Sequence, residues 1–111
     1  MQWSILITGG RVIDTFSGID EVKDVAISGK TIDEIGTNLP KENADLHIDA
    51  RGKIVTPGFI DLHVHNYTSR GNQPSVDSDT TNLAFGVTTA LDAGTATPAQ
   101  YPQHRQPTLQ K

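Results

Sequence analysis

The chain has 111 residues, enough for one small domain, and its formal net charge is −4. Its nine Lys and Arg residues form no basic cluster of the kind that binds nucleic acid, and a chain without cysteine has neither disulfides nor thiolate metal sites. No apolar run approaches the roughly eighteen residues that span a bilayer, and the N-terminus lacks the basic start of a signal peptide. We therefore expect a cytoplasmic protein with no nucleic-acid or membrane partner.

Residues 1–56 predict a series of short β-strands. The stretch SILITGGRVID is apolar and β-branched, with an interruption at Gly9-Gly10. DVAISGKTIDEIG is typical of a hairpin with a type II′ turn at Gly29-Lys30, because glycine accepts the positive φ that this turn requires. LHIDARGKIVTP adds two strands around Arg51-Gly52. We expect this segment to form half of a small antiparallel β-sandwich.

Residues 59–65, FIDLHVH, predict a strand with two different faces. Side chains alternate along a strand, so Leu62 and Val64 should share one face. The opposite face then carries Asp61, His63 and His65.

The chain after this strand predicts one βα unit. Asp79 is placed to cap a short helix over TTNLAF, and Gly86 is placed to end it. VTTALDA, residues 87–93, predicts a second buried strand, parallel to the first. The last segment, residues 97–111, has three prolines and no apolar period, so we expect it to be disordered or aberrant.

His63 and His65 are candidate metal ligands. A spacing of two residues puts both imidazoles on one face of a strand, but a catalytic zinc takes about three protein ligands, so this is only half of a site. Taken alone, the pair is also compatible with structural or incidental histidines. Three polar groups without partners would cost about 1–3 kcal/mol each on burial, which favours a metal. Asp61 is expected either to approach that metal or to brace a histidine.

Four stretches in order, ILITGGRVID, DVAISGKTIDEIG, IDARGKIVTPGFIDLHVH and GVTTALDAGTA, resemble the N-terminal part of the amidohydrolase superfamily over residues 4–96. The likeness is to its dihydroorotase-like and deacetylase-like metal-dependent hydrolases. It implies an α/β fragment in which residues 1–56 are the N-terminal half of a β-sandwich. Residues 57–96 would then be the first two strands of an incomplete TIM (β/α)8 barrel.

The resemblance also implies a chemistry. His63 and His65 match two ligands of a site for one or two divalent metal ions, with zinc as the expected metal. A metal-activated water would hydrolyse an amide, a cyclic amide or another C–N bond of a small-molecule substrate, in an enzyme that forms homo-oligomers. Thr95 could contact the substrate, whereas the preceding residues 92–94 alternatively only turn the chain.

The chain departs from the family in length. A TIM barrel takes about 250 residues, and the later ligands and general base of the family have no counterpart here. We therefore expect an N-terminal fragment that begins at a genuine start, Met1, and is inactive alone. The alternative is a small β-rich module that binds a metal, a ligand or a partner without catalysis.

Overall fold

The structure, a computed structural model, describes residues 2–66, 76–94, 97–100 and 102, which are mostly β-strand with little helix. The chain separates into two compact units, Met1–Pro57 and Gly58–Lys111. No described helix is both long and apolar enough to cross a membrane. The strands are β1 (Trp3–Asp14), β2 (Ile19–Ser28), β3 (Thr31–Gly36), β4 (Ala44–Asp49), β5 (Ile54–Val55), β6 (Phe59–Val64) and β7 (Val87–Asp92). The helical segments are α1 (Ser78–Thr81) and two 3-10 turns, Lys41–Asn43 and Leu83–Phe85.

The first unit is one mixed sheet with the strand order β3-β2-β1-β4, and β5 also pairs with β1. β1 to β3 form an antiparallel meander, but β4 and β5 run parallel to β1. The purely antiparallel arrangement expected from the sequence is therefore wrong. The reason is the connection through Lys41–Asn43, which carries the chain from one edge of the sheet to the other and so returns it in the direction of β1.

The predicted hairpin is confirmed. Ser28 of β2 pairs with Thr31 of β3, which leaves Gly29-Lys30 as the two-residue turn. Gly29 has a φ of +60°, as the first turn position of a type II′ turn requires.

A β-bulge interrupts β1 at Gly9-Gly10, where β1 has one residue more than β2. Gly9 has a φ of +71°, and its N–H donates to Oδ1 of Asp24 at 2.8 Å. The other oxygen of Asp24 accepts from the N–H of Leu39 at 3.0 Å. Asp24 is only 7% exposed, so a buried carboxylate joins the bulge to the loop after β3.

The core of this unit is formed by Trp3, Leu6 and Ala26, against which Leu39 and Ala44 pack. The indole N–H of Trp3 donates to Oδ2 of Asp33 at 2.8 Å, so the buried ring has a partner for its polar atom. A second apolar surface of the same unit lines a cavity of about 150 Å³, formed mainly by Ile7, Val12, Val25, Ile27, Ile32, Ile35 and Val55.

The turn between β4 and β5 carries an exposed ion pair. The guanidinium of Arg51 and its main-chain N–H both donate to the carboxylate of Asp49. These hydrogen bonds, with the side-chain ones first, lower the pKa of Asp49 to about 2.

The second unit contains a parallel pair, β6 and β7, joined through α1 and a 3-10 turn, so the predicted βα unit with parallel strands is confirmed. The helix cap is Asp77 rather than the predicted Asp79, since the side chain of Asp77 accepts from the N–H groups of Asp79 and Thr80. Gly86 ends the segment in the left-handed conformation, with a φ of +82°, as predicted.

β7 is not the buried strand that its sequence suggested. Leu91 is 59% exposed, and the described part of the chain pairs β7 with β6 alone. Apolar, β-branched composition predicts strand correctly, but burial depends on what covers the strand.

Candidate metal centre

The two candidate ligands lie at the carboxyl end of β6. His63 lies within the strand and His65 is the first residue after it. Val64 between them is 6% exposed, whereas both histidines are exposed. The two imidazole rings meet edge to face, with their centroids 5.3 Å apart and an interplanar angle of 86°. The structure therefore brings the predicted pair together on one side of the chain.

The separation of the two rings fits a shared metal ion. Because zinc binds imidazole nitrogen at about 2.0–2.1 Å, each centroid would lie roughly 3.2 Å from the ion, and a tetrahedral angle would separate the centroids by roughly 5.2 Å. The observed 5.3 Å agrees with this value. It also lies within the range of ordinary edge-to-face ring pairs, about 4.5–7 Å, so the spacing permits a metal without requiring one.

A β-bulge lies directly before the pair. Asp61 is opposite Ala90 and Val64 is opposite Asp92, so β6 has one residue more than β7 in this interval. Oδ1 of Asp61 accepts from the main-chain N–H of His63 at 3.0 Å. Asp61, half-buried, thus braces His63 through its main chain. Simple alternation of faces did not indicate this contact, although an aspartate two residues before a turn-forming N–H is a common local motif.

The main chain around His65 is held on both sides. The N–H of Ala93 donates to the carbonyl of Val64 at 2.8 Å, which links the ends of β6 and β7. The N–H of Val76 donates to the carbonyl of His65, also at 2.8 Å. His65 therefore lies on a fixed stretch of main chain.

Asp92 is a further residue of this region. Its Oδ2 accepts from the N–H of Asn66 at 3.1 Å, and its Oδ1 accepts from the N–H of Gly94 at 3.0 Å. Gly94 has a φ of +96°, which an L side chain rarely adopts. In the sequence, Asp92-Ala93-Gly94 indicated either a simple turn or a close approach to substrate. The contact with Asn66 was not indicated, because it requires knowledge of which strands are paired.

The remaining candidates lie elsewhere. Thr95, His104 and most of the predicted disordered tail, residues 97–111, are outside the described residues. His47 lies on β4 in the first unit, where its Nε2 is 2.8 Å from Oγ1 of Thr8. Within the part of the chain that the structure describes, no three His, Cys, Asp or Glu residues are grouped to hold a metal ion. The described site therefore consists of two imidazoles and the carboxylates that brace their main chain.

Comparison with known proteins gives consistent matches. A model of the amidohydrolase family matches residues 47–110. A dihydroorotase of Geobacter metallireducens is 48% identical over 62 residues, which are 56% of this chain and 15% of that protein. The chain thus spans about 15% of the length of this curated relative.

Two solved structures illustrate the likeness in fold. The N-acyl-D-glutamate deacylase of Bordetella bronchiseptica, complexed with zinc and a phosphonate inhibitor, has a TM-score of 0.63 and 33% identity, over 81% of this chain and 18% of that one. The D-hydantoinase of a Thermus species has a TM-score of 0.59 and 33% identity, over 79% of this chain and 20% of that one.

Proposed function

Because the chain belongs to the amidohydrolase family, we propose that it supplies the N-terminal part of a metal-dependent hydrolase acting on C–N bonds. The proposed substrates are small molecules that contain an amide or a cyclic amide. This class is supported by the relatives, which include a dihydroorotase, an N-acyl-D-glutamate deacylase and a D-hydantoinase.

One observation carries the proposal: the paired imidazoles of His63 and His65 at the carboxyl end of a strand in a parallel pair. Active sites of (β/α)8 barrels gather at the carboxyl ends of their strands. We therefore assign β6 and β7, within residues 57–96, as the first two strands of such a barrel. Residues 1–56 are assigned to the accompanying β-sandwich, and their second apolar surface is consistent with a further layer.

His63 and His65 would hold one or two divalent ions, for which zinc is the primary candidate, together with ligands beyond this pair. Such an ion, when bound, makes water a nucleophile at neutral pH and polarises a carbonyl group. The contribution of this chain is to present two imidazoles at a suitable separation. Asp61 holds the main chain of His63 in place by accepting a hydrogen bond from its N–H.

We propose that the 111-residue chain does not turn over substrate by itself. A catalytic zinc site uses about three protein ligands and an open position, and the described residues bring together two imidazoles. Assays of the isolated chain with a hydantoin, dihydroorotate and N-acyl amino acids should detect no metal-dependent hydrolysis. Turnover that depends on added zinc would show that the chain holds a complete site.

The ligand assignment is tested by zinc titration of the chain, followed through the NMR signals of its histidine rings. The signals of His63 and His65 should shift together, and either His→Ala variant should weaken binding by about tenfold or more, since each removes one of two ligands. His47→Ala is the matched control, because this histidine lies in the other unit and contacts Thr8. It should leave the titration unchanged.

Two results would contradict the proposal. A double variant, His63→Ala with His65→Ala, that binds zinc as tightly as the unaltered chain would remove these residues from the site. Sub-micromolar zinc affinity of the isolated chain would instead favour the non-catalytic binding module, because two imidazoles alone bind weakly.

A further inference from the structure

The carboxylate of Asp92 connects the ends of β6 and β7. One of its oxygens accepts from Gly94, two residues further along its own chain segment, and the other accepts from Asn66 across the strand pair. Four other aspartates, Asp14, Asp49, Asp61 and Asp77, likewise accept the N–H two positions onward. Asp92 combines this local contact with a contact to the residue that follows His65.

The contact holds the main chain directly after His65. The carbonyls of Val64 and His65 are fixed by Ala93 and Val76, and the N–H of Asn66 is fixed by Asp92. These three hydrogen bonds define the main-chain path from Val64 to Asn66. Asp92 provides the side-chain contribution to this path.

We propose that Asp92 is a positioning residue for the metal site: it fixes the main chain after His65 and thereby sets the separation of the His63 and His65 imidazoles. The proposal rests on the metal-binding role of these histidines. Two carboxylate oxygens receive two N–H donors here, so an asparagine would turn an NH2 group toward one of the donors. Asp92→Asn should therefore release one of the two contacts.

The first measurement uses the complete 111-residue chain without metal. The rings of His63 and His65 are close enough to give an NMR cross-relaxation signal between their protons, given the 5.3 Å between centroids. Asp92→Asn should reduce this signal at least twofold and accelerate hydrogen exchange at the amide of Asn66 about tenfold, while exchange within β6 and β7 stays as in the unaltered chain.

The second measurement is zinc affinity by the same NMR titration. Asp92→Asn should bind zinc about tenfold more weakly, at the lower end of the 10–100-fold range typical of groups that orient ligands. Asp79→Asn is the matched control, since it removes the same charge from exposed α1 of the same unit, and it should stay within about twofold. Asp92→Glu keeps the charge but displaces the carboxylate, so it should also weaken binding.

Three results would overturn the inference. Asp92→Asn could leave the ring signal and the Asn66 exchange unaltered, or it could abolish protection throughout β6 and β7, which would make its role general to the fold. A loss of zinc affinity with unaltered metal-free ring geometry would instead indicate direct ligation or a charge effect. The ligand assignment is tested separately by zinc titration of the His→Ala variants. If those variants bind zinc as the unaltered chain does, the proposed function fails, even if Asp92→Asn changes the ring signal of the metal-free chain.

Discussion

The two units use the same local device for different purposes. Each contains a β-bulge whose N–H is accepted by an aspartate: Gly9 donates to Asp24 in the first unit, and His63 donates to Asp61 in the second. In the first unit the carboxylate is buried and joins two segments of the sheet. In the second the carboxylate is half-buried and holds the main chain of His63, whose imidazole is exposed. The same device thus consolidates a sheet in one unit and presents side chains in the other.

The units differ most in how many apolar side chains they bury. The first unit buries Trp3, Leu6, Val12, Val25, Ala26 and Ala50, whereas Val64 is the buried hydrophobic residue among those described in the second. Both units leave large apolar side chains exposed, such as Phe16, Val22 and Ile32 in the first unit. In the second unit the exposed ones greatly outnumber the buried one, and those that are 58–78% exposed are Phe59, Ile60, Leu62, Leu83, Phe85 and Leu91. Apolar surface of this extent is typical of a face that other protein covers. The contrast teaches that the second unit depends on further packing more than the sheet of the first unit does.

The largest effect is expected from Leu6→Ala. Leu6 is fully buried in the core of the first unit, so its truncation should lower the free energy of unfolding by about 2–5 kcal/mol. Trp3 is the only tryptophan of the chain and lies in that core, so its fluorescence during urea unfolding reports on the first unit specifically.

Leu62→Ala provides the matched control in the second unit. Leu62 is 70% exposed, and its truncation should change the free energy of opening of β6 and β7, measured by hydrogen exchange at their amides, by no more than about 0.5 kcal/mol. Equal losses from the two substitutions would mean that the units do not differ in packing as described.

A smaller effect is expected from Gly58→Ala, which tests the close approach of the main chain at Gly58 to Thr88. A Cβ on Gly58 would overlap the side chain of Thr88 on β7, so β6 would have to shift, at a cost of about 1–3 kcal/mol. Hydrogen exchange at the amides of β6 and β7 should accelerate, while the Trp3 unfolding curve stays in place.

The rescue variant makes this prediction specific. Thr88→Gly removes the side chain that the new Cβ would meet, so adding it to Gly58→Ala should restore part of the lost protection. Additive losses in the double variant would show that the overlap with Thr88 is not the cause.

The smallest effect concerns acid stability of the first unit. The pKa of Asp49 is lowered to about 2 by Arg51, below the ordinary value of about 3.9. This contribution to stability is therefore present above about pH 4 and is lost as the pH falls through about 2. Arg51→Gln should raise the pKa of Asp49 toward 3.9, measured by NMR titration of its carboxyl carbon. It should also flatten the acid dependence of unfolding between about pH 4 and 2. A carboxyl midpoint that stays near 2 in this variant would show that Arg51 is not the cause.

The sequence predicted those features that depend on local patterns. The Gly29-Lys30 turn, the end of the helical segment at Gly86 and the pairing of His63 with His65 all follow from residue type and strand alternation. The same local reasoning could not decide between Asp77 and Asp79 as the helix cap, because both lie near the helix start and both are good capping residues.

Features that depend on distant pairing were not predictable in this way. The parallel direction of β4 and β5 results from a connection that crosses the sheet, and the bulge before His63 is visible only once β6 is aligned with β7. The contact of Asp92 with Asn66 was missed for the same reason, since the two residues are 26 positions apart. The exposure of β7 was missed because apolar composition does not show which surfaces have neighbours.

The crossover that makes β4 and β5 parallel to β1 also sets an order of events in folding. The meander of β1, β2 and β3 joins neighbours along the chain, whereas Trp3 pairs with Ala44 and Val12 with Val55 across some forty residues. Closing such long loops is slow, so the meander should form first and the parallel edge should be added last. During synthesis the sheet would be completed only after Val55 has left the ribosome, shortly before the segment with the histidine pair emerges.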